Sequence, residues 1–153
     1  MNKTIDITGL KVRVCQNVWE KINGWCTSTN LECSGFGLVR RKGSMFTIYD
    51  AFLPSQVCTP GHTTGDTSGL SDIAMSLFKR GIPTEHLKLW WHTHATFGCF
   101  WSGTDDDTAK RLSNNADGYG ISIVTNHKNE YKARIDATYP FQFTLDDIEL
   151  EFI

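Results

Sequence analysis

No apolar run in the chain approaches the roughly 18–20 residues that a membrane-spanning helix requires. The apolar core of a signal peptide is missing as well, because Met1 to Gln16 is too polar. The five cysteines, at 15, 26, 33, 58 and 99, include no C-x-x-C pair, and an odd, scattered set makes a poor disulfide framework. Together these absences lead us to expect a cytoplasmic protein. An excess of one charge is also lacking. With 15 basic and 17 acidic side chains the net charge is −2, without the basic surplus of a dedicated nucleic-acid binder. Neither a membrane nor a nucleic acid is therefore expected as a partner. There is no internal repeat and no low-complexity tract.

What remains is a composition that folds. Of the 153 residues, 40% are hydrophobic and 12% aromatic, which excludes disorder. Two halves of such a chain would each be too small to bury much core, so one domain spanning 1–153 is expected. Three of the five tryptophans fall between Trp90 and Trp101, a clustering that composition alone does not explain.

Leu10, Val12 and Val14 alternate as in a short strand, and Val14, Val18, Ile22 and Trp25 recur at helical spacing. Leu31 to about Arg41 and Met45 to Leu53 read as extended segments joined by a turn at Arg41–Lys42–Gly43–Ser44. Pro54 to Ser68 is rich in Thr, Gly and Ser and predicts a long exposed loop. A second helix is predicted from about Ser71 to Arg80, stopped by Gly81, and a third from Ser102 to about Ser113. Leu87 to His94 reads as a buried strand, with further strands at Gly120–Thr125 and near Tyr131–Thr138. The tail alternates through Phe141, Phe143 and Leu145, then changes parity at Asp146–Asp147, which suggests a turn or bulge before Ile148, Leu150 and Phe152. Strands interleaved with three helices make a mixed α/β (α+β) globule whose end strands look hairpin-connected.

The chemistry concentrates in His92–Thr93–His94 and the eleven residues that follow, ending at Asp105. On a strand, residues i and i+2 share a face, so the two imidazoles stand side by side while Thr93 faces away. Asp105 adds a carboxylate oxygen eleven residues after His94, at the start of the third helix. Two nitrogens and one carboxylate leave a fourth tetrahedral position open, the layout of a catalytic zinc site. Simpler roles exist for each part. An isolated H-x-H is weak, and Ser102–Gly103–Thr104–Asp105 also fits a helix-capping box. A helix N-terminus that is rigidly capped is nonetheless a good platform for a ligand.

The joint pattern resembles the motif of the JAB1/MPN/Mov34 (JAMM) metalloprotease family: an upstream Glu, then H-[ST]-H, seven residues, Ser, two residues, Asp. The spacings from His94 to Ser102 and from Ser102 to Asp105 match in full. Glu32, in Leu31–Glu32–Cys33–Ser34–Gly35–Phe36–Gly37, stands where the family has its glutamate. The likeness covers the motif and the order of elements as far as about Asn126. It departs at Ala95, where many members carry proline, and at the aromatic run Phe97–Trp101 in place of a proline-rich stretch. A different loop path after His94 is therefore expected.

The resemblance implies an MPN/JAB fold of cytidine deaminase-like type, with a mixed, largely antiparallel curved sheet flanked by about three helices. It also implies a compact prokaryotic or viral-type member, a hydrolase using Zn2+ held by His92, His94 and Asp105. In that scheme Glu32 is the general base and Ser102 the oxyanion donor. The implied activity is isopeptidase cleavage after the C-terminal glycine of a ubiquitin-like modifier, which would be the partner, alone or in conjugates. Alternatives are a peptidase acting on amino-acid adducts of a sulfur-carrier protein and a catalytically silent MPN-type scaffold. Selective members often carry two insertions near the groove. Pro54–Ser68 could serve as the first, and little room exists before Gly120 for the second. Among the remaining residues, Cys99 is expected to be inert and Cys33 to be core, with His62, His86 and His127 at the surface and Arg40–Arg41–Lys42 a solvated turn. Of the adjacent Trp90 and Trp91, one should pack in the core.

Overall fold

The computed structural model describes the backbone of residues 3–54, 56–59, 62–65 and 67–153, and the side chains of 3–54 and 72–153. A strand β1 (Lys11–Val14) leads into helix α1 (Gln16–Thr27). Next come β2 (Ser34–Lys42) and β3 (Met45–Phe52), then a short pair β4 (Gln56–Thr59) and β5 (His62–Gly65). Helix α2 (Thr67–Lys79) precedes β6 (Leu87–Thr93), and α3 (Gly103–Leu112) precedes β7 (Tyr119–Thr125). The chain ends with β8 (Tyr131–Ala137), β9 (Phe143–Leu145) and β10 (Leu150–Phe152).

Eight of these strands form one sheet in the order β10-β1-β3-β2-β6-β7-β8-β9. Pairing is antiparallel for β2 with β3 and β6 and for β8 with β7 and β9, but parallel for β1 with β3 and β10 and for β6 with β7. The result is a mixed α+β fold. Only residues 146–149 separate β9 from β10, which lie on opposite edges of the sheet. Laid flat, eight strands would hold those edges about 34 Å apart at the usual inter-strand spacing. A link this short reaches about 18 Å. The sheet must therefore curl, and the amide of Ile148 donates to the Ala133 carbonyl at 2.9 Å as the chain crosses.

The parity break at Asp146–Asp147 is thus real, with Asp147 at φ +51°, but it is not a hairpin. It sends the last strand to pair in parallel with β1, which corrects the expectation for that end of the chain. A second correction concerns Pro54–Ser68. Its backbone carries the antiparallel β4–β5 ribbon, and α2 begins at Thr67 rather than Ser71. The β-branched Val57, Thr59, Thr63 and Thr64 favour strand over loop, whatever their polarity. The exposure of that segment lies outside the described residues. The turn between β2 and β3 is also shorter than expected, with Arg40, Arg41 and Lys42 still on β2.

The core sits between the sheet and α1, which buries Val18, Trp19, Ile22 and Cys26 along one stripe. Trp91 is fully buried there and stacks on Trp25 with centroids 5.3 Å apart. That stacking depends on Gly35. A Cβ at this position would run into the Phe52 carbonyl oxygen and stand 2.5 Å from the Trp91 ring. We therefore expect Gly35→Ala to lower stability by about 1–3 kcal/mol through overpacking. An unchanged denaturation midpoint would show that the indole can move aside.

Candidate metal centre

β6 ends at Thr93, between β2 and β7, so that His92 lies near its end and His94 immediately follows it. His92 and His94 are 5% and 4% exposed, so neither is an ordinary surface histidine. The chain then turns sharply at Ala95, where φ is +53°. A proline is locked near −65°, so this path is closed to the residue that many JAMM members carry there. The loop returns to α3 with Ser102 as its N-cap. The Ser102 hydroxyl oxygen accepts from the Asp105 amide at 3.0 Å, and the Ser102 amide donates to Asp105 Oδ2 at 3.0 Å. That capping box aims the Asp105 carboxylate back at β6.

The three side chains converge. His92 Nε2 lies 3.2 Å from His94 Nε2 and 3.2 Å from Asp105 Oδ2, and His94 Nε2 lies 3.5 Å from the same oxygen. Ligands bound at about 2.0–2.1 Å around a tetrahedron stand about 3.3–3.4 Å from one another. The donor set therefore fits one small ion, and the group is one that could hold a metal. Two nitrogens and one carboxylate suit a borderline metal better than a hard alkaline-earth ion. At His94 the remaining ring nitrogen, Nδ1, lies 2.9 Å from the Gly98 carbonyl, which fixes the tautomer that leaves Nε2 free to ligate.

Electrostatics follow from this packing. Burial pushes the His92 pKa down, against the pull of Asp105, and favours the neutral ring a metal needs. Burial also opposes charge on His94, but hydrogen bonds to Asp105 and Gly98 and the Glu32 charge outweigh it and raise its pKa. Burial alone would raise the Asp105 carboxyl. Hydrogen bonds from His92, His94 and the Ser102 amide reverse that and hold it well below the ordinary range. Asp105 thus stays an anion between two imidazoles.

A cavity of about 290 Å³ opens over the triad, and both Glu32 and Ser102 line it. Glu32 lies two residues before β2, while its neighbour Cys33 joins the core as expected. All five residues singled out from the sequence are thereby brought together. The sequence did not disclose the role of Thr93. It faces away from the cavity, and its hydroxyl accepts from the Cys33 amide at 3.1 Å, pinning the segment that carries Glu32. Trp90 also lines the cavity and stacks on His92, with centroids 4.5 Å apart, while Phe100 meets His94 at 4.6 Å. So Trp90 walls the site and Trp91 fills the core.

Cys99 takes no part. Its thiol donates to the Glu130 carbonyl at 3.4 Å, and burial, with the Glu130 charge behind it, pushes its pKa up to about 11. A thiol so placed stays protonated at neutral pH and is a poor nucleophile. Cys15, Cys26 and Cys99 carry free thiols. Two histidines expected at the surface are half-buried instead. His86 bonds the Tyr49 hydroxyl, and His127 Nε2 lies 2.7 Å from the Cys26 carbonyl and 2.9 Å from that of Thr29, satisfying the C-terminal end of α1. The side chain of His62 lies outside the described residues.

Among the described residues, no helix is long and apolar enough to cross a membrane. Comparison with models of known protein families and with curated proteins gives no match for the chain.

Proposed function

We propose that the chain is a zinc metallopeptidase of the JAB1/MPN/Mov34 type, hydrolysing the bond that follows the C-terminal glycine of a ubiquitin-like modifier. The observation that carries this reading is the convergence of His92, His94 and Asp105 at tetrahedral-edge distances beneath a cavity that Glu32 and Ser102 share. The order of strands and helices up to α3 supports an MPN-type fold. The free thiols support a reducing, cytoplasmic setting.

Zinc held by His92, His94 and Asp105 would supply Lewis acidity, lowering the pKa of water from 15.7 towards about 7. The chain's own groups do the rest. Glu32 accepts a proton from the attacking water and delivers it to the nitrogen as the carbon–nitrogen bond breaks, so that water is added across the amide. The Ser102 oxygen already accepts the Asp105 amide, which leaves its O–H to donate to the carbonyl oxygen as charge builds there. Trp90 and Phe100 flank the imidazoles and limit the water that reaches the reacting carbon. The approach that Trp90 and Phe100 line suits a glycine at the scissile position.

The test is incubation of the zinc-loaded protein with ubiquitin-like fusions ending in glycine and with amino-acid adducts of a sulfur-carrier protein. Chelator-sensitive release of the modifier is the expected result. Release from the sulfur-carrier adduct alone would transfer the same chemistry to the smaller substrate. A fully zinc-loaded protein that cleaves neither would point to a silent scaffold.

A further inference from the structure

We propose that Arg134, a residue outside the motif, is the positioning residue that holds Ser102 and Asp105 in register with the two histidines. This rests on the reading of His92, His94 and Asp105 as a metal site. Those ligands come from two places in the fold, since the histidines lie at and just past the end of β6 and Asp105 lies on α3. The capping box sets the shape of the first turn of α3, but being local it cannot set where the helix sits on the sheet. Apolar packing does little more, because Ala109 is the one buried residue of α3. Ligand atoms 3.2–3.5 Å apart need a firmer anchor.

Arg134 supplies one. On β8 its side chain is only 3% exposed, and each of its three nitrogens has an acceptor. Nε and Nη2 form a bidentate pair with Asp136 at 2.8 and 2.7 Å. Asp136 is fully buried and also accepts from the Thr144 hydroxyl at 2.6 Å, so β8 and β9 together make a rigid base. From that base Nη1 reaches α3 and meets Asp106 Oδ1 at 2.9 Å. The guanidinium also lies 5.3 Å from the centre of the Trp101 ring. Trp101 immediately precedes Ser102, and Asp106 immediately follows Asp105. One guanidinium thus grips both flanks of the segment that carries the oxyanion donor and the third ligand. A buried guanidinium with an acceptor for each nitrogen makes a directional joint, which a lysine cannot reproduce.

The decisive variant is Asp106→Ala. Its side chain is 38% exposed, so the chain should fold, and Asp106 ligates nothing itself. We expect zinc affinity, measured by chelator competition, to fall about 10- to 100-fold. The visible spectrum of the cobalt-substituted protein should change as well, while circular dichroism does not. Asp106→Asn, which keeps an oxygen for Nη1, should recover part of the affinity. Lys110 pairs with the other oxygen of Asp106 at 2.9 Å, so Lys110→Ala is the control and should bind zinc like the parent. Arg134→Lys should weaken zinc binding at least as much as Asp106→Ala. Parent-like affinity and cobalt spectrum in Asp106→Ala would overturn the inference alone, as would an equal loss in Lys110→Ala. Failure of the parent to take up zinc would overturn the metal reading first, and this one with it.

Discussion

Replacing Glu32 with glutamine is expected to leave zinc in place and to lower turnover by about two to four orders of magnitude, the span of a lost general acid–base group. The substitution keeps the shape and polarity of the side chain, so the cavity that Glu32 lines with Ser34 and Trp90 should persist. It removes the one property the mechanism needs, a carboxylate able to take a proton and return it to the leaving nitrogen. Glu32 is not among the three ligand atoms that converge, so metal content should not follow activity down. Its charge does reach the site, because it raises the proton affinity of His94. Near-normal peptidase rates in Glu32→Gln, with elemental analysis showing full zinc, would remove Glu32 from the chemistry.

The complementary result is expected for Asp105→Asn, where metal and activity disappear together. Asparagine retains an oxygen that can accept the Ser102 amide, so the cap of α3 survives in part. What goes is the anion lying 3.2 Å from His92 and 3.5 Å from His94. Two neutral imidazoles alone are a weak divalent site, and hydrogen bonds from His92, His94 and the Ser102 amide favour an anion at that point. Zinc content after dialysis should fall from one per chain to near background, and cleavage with it, while circular dichroism stays that of the parent. Full zinc retention in this variant would sink the ligand assignment. Read together, the two variants separate proton transfer from metal holding, which the motif alone treats as one unit.

The candidate site was legible because most of it is local. Alternation along a strand puts His92 and His94 on one face whatever the strand packs against. A capping box places Asp105 at the start of a helix from its neighbours alone. Glu32 was reached through the resemblance. What carries it to the histidines is the antiparallel register that sets Ser34 opposite His92, a pairing between residues 58 apart in the chain. Elsewhere local signals misled. Polar β-branched residues between Gln56 and Gly65 read as loop yet pair as a ribbon, and His127 reads as a turn residue yet closes the end of α1. Nothing around Arg134 distinguishes it from a surface arginine until β8 is laid beside β9 and α3.

By itself, then, the sequence determined the kinds of element outside Gln56–Gly65, the residue types of the candidate metal site and their spacing, and the absence of a long apolar span. Those properties depend on residues within a turn or a strand of one another, where geometry is set by backbone period and side-chain chemistry. Only the tertiary structure decided that the sheet curls to bring β10 against β1, that Trp90 walls the cavity while Trp91 fills the core, and that Arg134 anchors α3. Each of these depends on which distant segments share a neighbour, and that is settled by the packing of the whole chain.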